Sequence, residues 1–195
     1  MDPTALLRPG LLDGRVVALG AGPFAPPLAA LGALPATLPA AADEQQADAQ
    51  ARAVLATHGE LHALVLDLRP AFGSGGGAGL RRALDGAWIV LRAVAVAAWI
   101  EPGRAGRVTL VAPPPNAEDP AAEGLRAAAE NLARTLSIEW ARHAITTVAI
   151  TPGERTGDGE LAALIAYLLS PAGDYFSGAR LALGESGAVA ETPSR

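Results

Sequence analysis

Few side chains in this chain are equipped for chemistry. Its 15 basic residues are all arginine and it has no cysteine. Schiff-base lysines, a P-loop lysine, thiolate nucleophiles, cysteine-held metals and disulfides are therefore excluded together. Tyr167, Tyr175, His58, His62 and His143 remain beside the carboxylates as acids or bases. The histidines show no spacing that suggests a metal site or a serine-histidine-acid triad, and His143 suits a solvated turn. Tyr167 and Tyr175 fall in the last helix and the turn after it, where core or interface packing is expected. Asp67 ends an apolar strand and Asp85 precedes an apolar run, so both are candidate displaced acids. The competing expectations are backbone capping for Asp67 and a helix N-cap for Asp85. Gly20 and Gly22 follow the first strand in a tight turn, where a nucleotide's phosphates could approach the backbone. The other glycine cluster, GSGGGAG at 73–79, lacks a lysine and follows a different strand, so a flexible connector is expected there.

Strands separated by helices must position these residues. Apolar runs at 15–19, 36–38, 62–68, 107–112, 145–150 and 176–183 read as strands, most of them buried. A short helix fits among the prolines after Gly22, and helical periodicity marks 43–58, 80–100, 121–143 and 160–169. In 121–143, Leu125, Ala129, Leu132, Leu136 and Trp140 recur at three and four and form one stripe. Alternating strands and helices predict an α/β fold, a doubly wound parallel sheet covered on both faces. One domain over 1–184 with a polar tail at 185–195 is expected from the length. A net charge of −5 speaks against nucleic-acid or anionic-membrane partners. The start lacks the pattern of a signal peptide, and the most apolar stretch, 86–100, is short for a bilayer and interrupted by Arg92. A cytoplasmic protein is the expectation. Aromatics are only 4% of the chain, so close backbone approach and subunit contacts are expected to add stability.

From residue 106 onward the order GRVTLVA, LARTLSIEWARHAITTVAITPG, ELAALIAYLLSPAGDYFSGARLALG resembles the second half of a short-chain dehydrogenase/reductase. The strand ending in TPG and the segment SGARLALG carry the likeness; the N-terminal half resembles the family weakly. The resemblance implies a Rossmann-like fold, trimmed by about one βα unit, because only 20 residues separate Gly22 from Asp43. The unit implied to be missing is the one that would hold adenosine. It also implies that a substrate lid is lacking, since only ERTGDG follows Gly153 before Glu160.

The resemblance further places the family's tyrosine at Ala122, its lysine at Arg126, its serine at Ala112 or Pro113, and its helix asparagine near Asp85. A phenol with a pKa lowered by lysine is what the family's proton transfer needs, but Ala122 has no titratable group and the chain has no lysine at all. Of itself, Arg126 reads as a helix-surface arginine paired with Glu123 or Glu130, with a ribose or phosphate contact as the sharper option. Gly20 and Gly22 are the candidate cofactor-binding positions, although prolines stand where helix N–H donors are wanted and no ribose selector follows the second strand.

The resulting expectation is a non-catalytic subunit that binds no cofactor and no metal. It would assemble with an active family member, or with itself, through helices 84–100 and 121–143 and the helix-strand segment 160–183. Trp88 and Trp99 on the apolar first of these fit one face on the sheet and one on a partner. The alternatives are an NAD(P)-dependent oxidoreductase using Asp67 or Asp85, and a module that binds a small ligand or regulates.

Overall fold

The computed structural model describes residues 3–20, 22–116 and 118–184; the expected tail at 185–195 lies outside them. The apolar runs form β1 (Val16–Leu19), β2 (Leu34–Thr37), β3 (Ala63–Asp67), β4 (Gly106–Val111), β5 (Ile145–Thr151) and β6 (Arg180–Ala182). They build one parallel sheet in the order β2-β1-β3-β4-β5-β6. The helices are α1 (Ala25–Ala30), α2 (Glu44–His58), α3 (Arg69–Phe72), α4 (Gly76–Val94), α5 (Pro120–Glu139) and α6 (Asp158–Leu169).

Two buried clusters lie on the two faces of the sheet. Val16, Ala18, Leu64, Val108 and Leu110 point toward α2, α4 and α5, whereas Val17, Leu19, Val65 and Val111 point toward α1 and α6. Burial on both faces is why these strands read as unbroken apolar runs instead of alternating ones. Alanine dominates the helix surfaces that meet the sheet, with Ala83, Ala87, Ala129 and Ala133 all buried. The fold is an α/β sandwich with a six-stranded parallel sheet, as expected.

Several elements differ in extent from the sequence reading. The glycine-rich stretch is no flexible connector: α3 occupies 69–72, and α4 begins at Gly76, inside the stretch. The Asp119 carboxylate accepts the Gly76 N–H at 2.8 Å, and a Cβ on Gly79 would run into the Phe72 carbonyl oxygen. These glycines thus permit close packing of α3, α4 and the loop before α5. At its other end α4 widens into a π-helix, Ala95–Ile100, where Glu101 N bonds Val96 O. There the indole of the fully buried Trp99 donates to the Leu61 carbonyl at 2.7 Å.

Helix α5 ends at Glu139, followed by a 3-10 turn, Ala141–His143, and left-handed Ala144. Most of the strand expected at 176–183 is not strand. Ser170 caps a 3-10 helix, Pro171–Phe176, and Gly173 packs so tightly on the Leu168 backbone that only Arg180–Ala182 remains for β6.

The apolar stretch ending at Ile100 also needs correction. Its continuous helical run, Gly76–Ile100, is 25 residues, long and apolar enough to cross a membrane by length and composition. It is nonetheless the core helix of one layer, with Leu91 and Trp99 fully buried and Arg92 paired to Asp48 of α2 at 3.1 Å.

Candidate functional site

The chain leaves β1 to build β2 on one side and returns to build β3 on the other. That reversal opens a crevice beyond the carboxyl ends of β1 and β3, the usual place for a ligand in such sheets. A groove of about 1340 Å³ lies there, between the segment after β2 and helix α4. Gly20 and Gly22 line it, as do Asp67 and Asp85. The two glycines are not demanded by the turn, because neither has a positive φ. A Cβ on Gly22 would meet nothing within 4 Å, and one on Gly20 only the Leu38 carbonyl at 3.8 Å.

Asp85 is no N-cap: α4 has begun nine residues earlier, and Asp85 is an exposed mid-helix residue on the groove. Asp67 behaves as its capping role requires. Its Oδ1 accepts the Arg69 N–H at 3.1 Å and the Arg69 Nε–H at 2.8 Å, while Oδ2 accepts from Nη2 at 2.8 Å. The same guanidinium donates through Nη1 to Asp158 Oδ1 at 2.8 Å and lies 5.3 Å from the Phe24 ring centre. Hydrogen bonds to the two carboxylates raise its pKa further above an already high value. Arg69 therefore ties the turn after β1, the exit of β3 and the start of α6 into one bridge across the edge. The sequence reading missed it; the signal was an arginine two residues after a strand-end aspartate.

Toward β4 and β5 the edge is filled from within. Ala112, at the end of β4, is fully buried and donates its N–H to Ile150 O. Ala122, in the first turn of α5, is a buried methyl, 1% exposed. One turn on, Arg126 corrects the expectation of a surface side chain, because it is 5% exposed. Its Nη1 donates to the Pro113 carbonyl at 3.0 Å and the Pro152 carbonyl at 2.6 Å, and its Nε stands 3.2 Å from Glu123. The pairing with Glu123 was expected from i,i+3 spacing, whereas the two carbonyls are 13 and 26 residues away. Thr151, at the end of β5, is buried with an Oγ1 that has no partner among the described residues. Only Pro152–Gly157 connects β5 to α6.

The remaining candidates lie elsewhere. His62 sits at the amino end of the sheet, where its Nδ1 accepts the Val16 N–H at 3.0 Å and burial lowers its pKa. His143 ends the 3-10 turn before β5. Tyr175 is 91% exposed, contrary to a core role, while Tyr167 packs edge-on against Phe176. Among the described residues no group of three or more histidines and carboxylates could hold a metal ion.

No protein-family model matches the sequence, and no curated protein matches it. Solved structures do match in fold. A citronellol catabolism dehydrogenase of Pseudomonas aeruginosa has a TM-score of 0.75 and 21% identity over 91% of this chain and 96% of that one. A mutant short-chain dehydrogenase/reductase of Serratia marcescens has a TM-score of 0.70 and 21% identity, covering 88% of this chain and 96% of its own. A 3-ketoacyl-(acyl-carrier-protein) reductase of Brucella melitensis, solved with NADH, has a TM-score of 0.70 and 20% identity over 89% and 98% of the two chains. The chain thus has the short-chain dehydrogenase/reductase fold.

The start of α1 offers few donors to a dinucleotide's phosphates. Pro26 and Pro27 occupy the first turn of α1 and supply no N–H donors, and α1 is only six residues long. Beyond them the Arg69 bridge lies from Phe24 to Asp158.

Proposed function

We propose that this chain is a non-catalytic subunit of short-chain dehydrogenase/reductase fold, binding no NAD(P) itself, which assembles with an active protein of that fold. The observation that carries the reading is the pair Ala122 and Arg126. The positions that the resemblance gives to tyrosine and lysine hold a buried methyl and a guanidinium already engaged by Pro113, Pro152 and Glu123. A methyl moves no proton, and an arginine stays charged throughout the accessible pH range. The other candidate acids offer no replacement: both oxygens of Asp67 accept from Arg69, and Asp85 is an exposed mid-helix carboxylate with no ion-pair partner among the described residues.

Apolar residues on the outer helices support assembly. Trp88 on α4 is 43% exposed and Ile138 on α5 is 74% exposed, in a chain with only three tryptophans. Such residues are enriched at interfaces. The contacting segments are 84–100, 121–143 and 160–183, and the partner is an intact homologue or a second copy. Co-expression with an intact short-chain dehydrogenase/reductase of the same organism, followed by size-exclusion chromatography and an activity assay, tests the reading. A mixed assembly that Trp88→Asp dissolves is expected. A partner that assembles and works alone, never taking up this chain, overturns the mixed assembly; turnover of NADH by the isolated chain overturns its catalytic silence.

A further inference from the structure

We draw no further inference here: the strongest candidate, the groove between the segment after β2 and helix α4, carries nothing because nothing in the structure shows what covers its apolar floor.

Discussion

The two halves of the sheet's carboxyl edge are built on opposite plans. Beyond β4 and β5 the edge is closed by Arg126, which joins the two strand exits, and Arg69 bridges from the turn after β1 and the exit of β3 to α6 at the boundary between the halves. Beyond β1, β2 and β3, the edge is left open over an apolar floor. The closed half satisfies carbonyls with a guanidinium group. The open half lacks such a filling and exposes hydrocarbon. Closure has been built where the resemblance puts chemistry, and openness has been kept where it puts binding.

Breaking the closed half should have the largest effect. Arg126→Met removes a buried cation and leaves the Pro113 and Pro152 carbonyls without their donor. A loss of about 3 kcal/mol is expected, read as a fall of roughly 6–12 °C in Tm. Arg126→Lys should recover part of it, and an unchanged melting temperature for Arg126→Met would show that the staple carries no stability. A glycine pair measures tightness directly. Gly79→Ala should cost about 2 kcal/mol by denaturant unfolding, because its Cβ meets the Phe72 carbonyl. Gly22→Ala, facing open space, should stay within about 0.5 kcal/mol of the parent; similar losses at both positions would erase the contrast.

Arg69→Ala ranks next. Its side chain is 25% exposed and Asp158 is 51% exposed, so about 1 kcal/mol is expected in chemical denaturation. The smallest effect belongs to the far end of the sheet and serves as a control. The folded chain holds His62 neutral by burial, so its pKa lies below the usual 6.5. Stability from this group is fully present above pH 6.5 and falls as the pH drops below it, when the unfolded chain takes up the proton first. Unfolding free energies compared at pH 7.5 and 5.5 should show that fall, and His62→Asn, which can still accept from Val16 N, should flatten it.

Much of this was legible in the sequence, and what escaped it is informative. The runs at 62–68, 107–112 and 145–150 declared themselves as strands because burial on both faces leaves no polar alternation to confuse. The short links after Gly22 and Gly153 read as a missing βα unit and a missing lid, and the structure has a six-residue α1 after the first and only Pro152–Gly157 at the second. Asp67 was legible as a capping residue because its partner is two positions away. What escaped depends on distant partners. GSGGGAG looked like a connector until Asp119, 43 residues on, seated Gly76 at a helix start. Arg126 looked like a surface residue because its carbonyl partners are invisible to helical spacing. The π-helical end of α4 left no recognisable mark, since it serves the fit of Trp99 against Leu61 and Gly106.

The short edge strand β2 sets a limit on how sheets of this protein can grow. Leu34 and Leu38 donate their N–H groups inward, to Arg15 and Leu19, so the backbone groups of Pro35 and Thr37 turn outward. Proline has no hydrogen to offer, which leaves Thr37 as the strand's single outward donor. One margin of the sheet is thereby poor in donors, while the other is formed by the three-residue β6. A strand added at β2 would find a single donor in its path.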